Sequence, residues 1–195
     1  EQVEREQLLR QLQQANDELS RLALSDPLTG LPNRRALMLE LTRLFSLSER
    51  AGHPVLIAFV DLDGFKAIND THGHDVGDRF LIQVAQRLGD AVRAGDLVAR
   101  YGGDEFVVVL ELLNDGSEVR AKAESLLAQL SQPFVLTTAT VQVGASIGVA
   151  LQMPRDVQDP ARLLARADQA MYQVKRKGKG QVAIVAPSYG GATVY

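Results

Sequence analysis

Two acidic pairs pose the chemical problem in this 195-residue chain. Asp61-Leu62-Asp63 ends its most apolar segment, and Asp104-Glu105 follows directly on Gly102-Gly103. In open α/β sheets ligands gather at the carboxyl ends of strands. Sequential elements usually lie side by side, so the order of these segments predicts that Asp61 and Asp104 converge. Carboxylates crowded together repel unless a cation bridges them. With no Cys, and with His72 and His74 lacking a third ligand in view, the metal chemistry open to the chain is an oxygen-only site for Mg²⁺ or Mn²⁺. Two ordinary acidic turns would show the same residues, and this pattern alone leaves both open.

The segments around these acids offer groups for an anion. Gly64-Phe65-Lys66 supplies backbone N–H groups and an ammonium where a helix begins, an arrangement that holds phosphate. Asn69, Asp75 and Asp78 follow on a turn and a helix start, where Asn and Asp commonly cap, the role expected of Asp75. Asn with a carboxylate also matches the amide and amino edge of guanine. His72 and His74 read as turn or packing residues. Lys175, Arg176, Lys177 and Lys179 crowd the end of the last helix, where they either complement its dipole or clamp a polyphosphate.

The elements that must position these groups are legible as periodicity. Leu8, Leu12, Ala15, Leu19 and Leu22 step by four and three, the spacing of a heptad helix that either packs on its own domain or pairs with a twin. The Pro and Gly residues of 26–33 break it. Leu37, Leu41, Leu44 and Phe45 mark a second helix, stopped at Gly52-His53-Pro54. Val55 to Val60 reads as a strand buried on both faces. Phe80, Leu81, Val84, Ala85 and Leu88 return to helical spacing. Leu97 to Tyr101 and Glu105 to Leu110 should form a hairpin, its turn at Gly102-Gly103 using positive φ. A helix through Val119, Ala123, Leu126, Leu127 and Leu130 follows, then Phe134 to Thr137 and a strand over Thr140 to Ala150. A last helix carries Leu163, Ala167, Ala170, Met171 and Val174, and a strand at Gln181 to Val185 closes the order β-α-β-β-α-β-β-α-β. The expected class is α/β (α+β): a mixed central sheet flanked by helices on a split βαβ core.

Composition sets the outer limits. The length suits one domain plus an appendage, and 46% hydrophobic with 23% charged residues is ordinary globular composition. A net charge of −3 argues against tracking a nucleic-acid backbone. Without Cys there are no disulfides or thiolate sites, which fits a reducing compartment. No apolar run approaches the ~18 residues of a membrane span. The chain opens at Glu1 without a signal peptide or initiator Met and reads as a fragment. The expected location is the cytoplasm, with anchoring of a full-length protein in the inner membrane left open. Residues 1–24 are expected to be a coiled-coil-like signalling helix, 25–187 a domain and 188–195 a loose tail.

Residues 100–106 read RYGGDEF, and a fixed pentapeptide such as GGDEF arises by chance on the order of once per million positions. The chain resembles the GGDEF family, the diguanylate cyclases of bacterial signalling. The resemblance extends over DPLTGLPNRR at 26–35, DLDGFKAINDTHGHDVGD at 61–78, SIGVA at 146–150 and ADQAMYQVKRKGKG at 167–180. It implies a palm fold like that of polymerases and nucleotide cyclases. It also implies one GTP per domain, and a homodimer in which each 3′-hydroxyl attacks the partner's α-phosphate to give cyclic di-GMP and two pyrophosphates.

By the same resemblance Asp61, the Leu62 carbonyl and Asp104 match the metal positions, for two Mg²⁺ or Mn²⁺ per site. Asp104 and Glu105 match the catalytic acids, Glu105 helping to deprotonate the hydroxyl. Gly64, Phe65, Lys66, Gly102, Gly103, Lys175 and Lys179 match the substrate-binding segments, and Asn69 and Asp78 the positions that read guanine. Lys179 stands where the family usually has Arg, and Gly180 where it often has Asn, which implies a weaker grip on triphosphate. Arg93 and Asp96 form the RxxD that resembles the family's product-inhibition site, whose second cation Arg120 or Lys122 would supply. The alternatives are a catalytically silent receptor for cyclic di-GMP or GTP, and a general nucleotidyl transferase or adenylate cyclase. An upstream sensor module in the full-length chain, entered through the N-terminal helix, is also expected.

Overall fold

The structure, a computed structural model, describes residues 2–113, 115–156 and 159–185. In chain order its elements are α1 (Gln2–Leu24), α2 (Arg34–Ala51), β1 (Val55–Asp63), α3 (Phe65–His72), α4 (His74–Ala91), β2 (Leu97–Gly102), β3 (Glu105–Glu111), α5 (Val119–Leu130), β4 (Phe134–Val135), β5 (Thr140–Val141), β6 (Gly144–Gln152), α6 (Pro160–Lys177) and β7 (Val182–Val185). The apolar run expected to be a buried strand becomes β1 and continues through both of its aspartates. It lies at the centre of a five-stranded sheet of order β2-β3-β1-β6-β7. β1 is antiparallel to β3 and β6, and β6 is parallel to β7, so the sheet is mixed as expected.

Alternation along β1 divides the core in two. Leu56, Ala58, Val60 and Leu62 point to the layer of α4 and α5, where Phe80, Leu81, Val84, Leu126 and Leu130 cover them. Val55, Ile57 and Phe59 point to the layer of α2 and α6, against Leu37, Leu41, Leu163 and Met171. A strand with period-two side chains buried on both sides needs apolar residues at every position. Gly148 marks the closest approach of α6 to the sheet: a Cβ there would lie 2.0 Å from the Ala167 carbonyl oxygen.

The structure corrects the expected elements at four places. Residues 65–72 form a separate helix, so Asn69 is helical rather than on a turn. Asp75 does not cap α4; Gly73 occupies that position without a side-chain bond, and Asp75 adds only first-turn negative charge. The strand expected over 140–150 splits, because Thr140–Val141 turns aside to pair with Phe134–Val135 and only Gly144–Gln152 joins the main sheet. Finally, neither Gly102 nor Gly103 has positive φ. The loop between β2 and β3 is Gly103-Asp104, with Gly102 paired to Glu105 after a register shift past Tyr101.

α1 buries none of its residues, and Leu8, Leu12, Leu19 and Leu22 are each at least 60% exposed. Among the described residues no helix is long and apolar enough to cross a membrane. The tail expected at 188–195 lies outside the described residues.

Candidate active site

β1 and the β2–β3 turn bring the two acidic pairs together. Asp61 faces Glu105 in the antiparallel ladder, and the Leu62 N–H donates to the Asp104 carbonyl at 3.2 Å. Asp61 is only 4% exposed. Its Oδ2 accepts from Lys175 Nζ at 2.6 Å, while its Oδ1 is buried with no hydrogen-bond partner. An unpartnered buried carboxylate oxygen beside further acids fits a cation. Among the described residues no three His, Cys, Asp or Glu side chains form a metal cluster by themselves, so a cation at Asp61 would need backbone carbonyls or a ligand's oxygens as well.

The charges reflect this crowding. Burial pushes the Asp61 carboxyl up; Lys175 opposes this, and repulsion from Asp104 and Asp63 adds to it. Burial works against the Lys175 ammonium, but its bond to Asp61 and the attraction of Asp104 and Asp63 hold its pKa above the ordinary value. Glu105 is raised by burial and then by Asp61, by Asp168 of α6 and by Asp104. Asp168 was not anticipated as a member of this group.

Neither glycine of the turn uses positive φ, and only Gly102 answers to a close neighbour. A Cβ at Gly102 would sit 3.1 Å from Glu105 Oε2, whereas Gly103 faces open space. Behind the turn, Arg100 donates through Nε and Nη2 to the Gly103 carbonyl, at 3.2 and 2.8 Å. Its Nη1 lies 3.1 Å from both oxygens of Asp26. Asp26 also accepts from the Thr29 N–H and hydroxyl, at 2.8 and 2.7 Å. The segment that breaks the first helix is therefore clamped to the acidic turn.

Gly64 takes φ 85 and leads β1 directly into α3, with Phe65 stacked on Phe80 at 6.1 Å and Lys66 exposed. Asn69 on α3 lies against α4: a Cβ at Gly77 would lie 1.8 Å from Asn69 Oδ1, so only glycine admits the amide there. This brings Asn69 next to the residue preceding Asp78, which is exposed. Lys175 reaches into the acids from the last turn of α6, whereas Lys179 lies beyond the helix on an exposed turn.

Arg93 and Asp96 lie elsewhere, at the other end of β3, six residues or about 20 Å from Glu105 along the strand. Asp96 accepts from the Arg93 and Glu111 N–H groups, both at 3.2 Å, and the Arg93 guanidinium donates to the Glu111 carbonyl. They line a cavity of about 350 Å³ with Glu111, Leu113, Glu118 and Lys122. Arg120 pairs with Glu124 at 3.3 Å, so Lys122 is the α5 cation on this cavity.

Sequence and structure comparisons agree with this arrangement. Residues 23–181 match the family described as diguanylate cyclase, GGDEF domain. The chain is 44% identical over 168 residues to the bifunctional diguanylate cyclase/cyclic di-GMP phosphodiesterase MucR of Pseudomonas aeruginosa, covering 86% of this chain and 24% of that protein. It is 42% identical over 175 residues to diguanylate cyclase DgcP of Escherichia coli, covering 89% of this chain and 51% of DgcP. It therefore spans about a quarter of MucR and about half of DgcP. The solved coiled coil and GGDEF domain of DgcB from Caulobacter crescentus, in complex with c-di-GMP, superposes with a TM-score of 0.82 at 28% identity, covering 93% of this chain and 96% of that one. With the acids of β1 and of the β2–β3 turn converging on a mixed sheet of this topology, the chain belongs to the GGDEF-domain family.

Proposed function

We propose that the chain is a diguanylate cyclase domain that condenses two GTP into cyclic di-GMP and two pyrophosphates. The observation that carries this reading is the buried, unpartnered Oδ1 of Asp61 across the ladder from Glu105 and next to the Asp104 turn. Asp61, the Leu62 carbonyl and Asp104 would hold Mg²⁺ or Mn²⁺, two per site, which when bound supply Lewis-acid activation of the 3′-hydroxyl and charge neutralisation on the leaving pyrophosphate.

The chain's own residues do the rest. Glu105 accepts the proton of the 3′-hydroxyl, and its raised pKa brings it closer to the working pH of a general base. Gly64, Phe65 and Lys66 bind phosphate at the start of α3, and Lys175 and Lys179 add charge from the other side. Asn69 and Asp78 read the guanine edge. Gly102 and Gly103 let the nucleotide approach the turn. One domain holds one GTP, so turnover requires two domains facing each other. The exposed leucines of α1 provide the seam that would hold two chains together.

Arg93 and Asp96 are the proposed product site, with Lys122 as the second cation. Glu111 and Glu118 on the same cavity oppose an anionic ligand, so inhibition is expected to be weak. Retention of Asp104 and Glu105 weighs against a silent receptor.

The test is incubation of the chain with GTP and Mg²⁺ and identification of the nucleotide product. Cyclic di-GMP from the unsubstituted chain, and none from Asp104→Ala or Glu105→Ala, is expected. Equal synthesis by both variants would remove the assignment.

A further inference from the structure

Asp61 and Asp63 lie two residues apart on β1, on the same face of the sheet, yet they are used differently. Asp61 keeps a carboxylate oxygen without a partner. Asp63 has none to spare: Oδ1 accepts from Ser146 Oγ at 2.9 Å, and Oδ2 accepts from the Gly180 N–H at 3.0 Å. Ser146 is fully buried on β6, so this anchor is fixed to the sheet. The second bond reaches 117 residues along the chain, to the turn between α6 and β7.

That turn is built on positive φ. Gly178, Lys179 and Gly180 have φ of 130, 66 and 63, and Lys179 is the one non-glycine residue with positive φ among the described residues. An L side chain resists that conformation unless its surroundings impose it. On one side the Gly178 and Lys179 N–H groups both donate to the Val174 carbonyl at the end of α6. On the other side the Asp63 carboxylate holds Gly180. A Cβ at Gly144, the ladder partner of Asp63, would lie 3.2 Å from Asp63 Oδ2 and 3.8 Å from the Gly180 Cα. At Gly144 the three segments therefore come into close contact. Lys179 itself is exposed, and its backbone is the part that these bonds hold.

We propose that Asp63 is a positioning residue for the triphosphate: by fixing the Gly178–Gly180 turn it aims Lys179 at the phosphates, while Asp61 two residues earlier is left for the cation. This rests on the nucleotide reading above and adds to it the residue on which Lys179 depends.

The experiment is calorimetric titration of the full chain and its variants with 3′-deoxy-GTP and Mg²⁺, which cannot cyclise, and with GMP as a control lacking the outer phosphates. Asp63→Ala and Lys179→Ala should each weaken the triphosphate about tenfold, the loss of one charge-assisted contact. GMP binding should stay the same. Asp63→Asn should remain within about threefold of the unsubstituted chain, because its carbonyl still accepts from Gly180 and its amide donates to Ser146. In the Lys179→Ala background, Asp63→Ala should cost nothing further. Should Asp63→Ala not fold, Ser146→Ala carries the same cycle with a smaller loss. Unchanged triphosphate affinity in Asp63→Ala, or losses that multiply in the double variant, would overturn the proposal. If the unsubstituted chain fails to bind the analogue, the nucleotide reading falls and this inference with it; binding without the predicted coupling overturns this inference alone.

Discussion

The Lys175 ammonium donates to Asp61 Oδ2 at 2.6 Å, from the last turn of α6 to the end of the central strand. The same carboxylate is the proposed cation ligand, so an ammonium and a divalent cation compete for it. Lys175→Met removes the counter-charge of a carboxylate that is 4% exposed. With Lys175 itself partly exposed, the loss is expected at about 2 kcal/mol, less than for a fully buried pair. Mg²⁺ should then raise the melting temperature of the variant more than that of the unsubstituted chain. An equal rise in both would mean that the cation does not compete at Asp61.

The Asp26–Arg100 clamp gives a pH dependence with a definite sign. Burial alone would raise the Asp26 carboxyl, but the Thr29 hydroxyl and amide and the Arg100 guanidinium hold it below the usual carboxylate range. A folded value below the unfolded one adds stability above the unfolded pKa, and this is lost as pH falls through the folded value. Asp26→Asn should therefore cost about 2 kcal/mol at pH 7. The gap should narrow steadily below about pH 4. Urea unfolding at neutral and acid pH measures it; a gap independent of pH would show that the charge does not stabilise the turn.

Gly77→Ala tests base recognition without touching a proposed contact. A Cβ 1.8 Å from Asn69 Oδ1 must displace that amide. Preference for GTP over ATP in competition binding should fall about tenfold, on the scale of one good polar contact to a base edge. Retained preference would remove Asn69 from guanine recognition.

Much of the site was legible in the sequence because the unbroken apolar run 55–60 marks β1 and period-3.6 patterns mark α4 and α6, with Asp61 falling where that run stops. Convergence with Asp104 was expected from the adjacency of successive elements; the Leu62 N–H bond to the Asp104 carbonyl, with Asp61 opposite Glu105, sets the two segments side by side. The roles of the neighbouring residues were not legible. Gly102 looked like a positive-φ residue, but it is there because Glu105 approaches closely. Asp63 and Asp168 act through bonds or charges from segments distant in sequence, which local periodicity does not report. The two-residue spacing of Asp61 and Asp63 was the available signal that they share a face. The break at Gln142-Val143 was hidden because apolar alternation continues through it.

The role proposed for α1 concerns encounter rather than binding. Deleting residues 1–22 should lower specific activity, most at low protein concentration, while leaving GTP affinity unchanged. Equal rates for both chains across concentrations would leave the exposed leucines without this function.

The shared cation is the claim on which the rest depends. A crystal of the chain with Mn²⁺ and 3′-deoxy-GTP, measured at the manganese absorption edge, locates it. The account predicts anomalous density within about 2.2 Å of oxygens from both Asp61 and Asp104, with Lys175 released from Asp61. Nucleotide bound with manganese remote from these two side chains would contradict it.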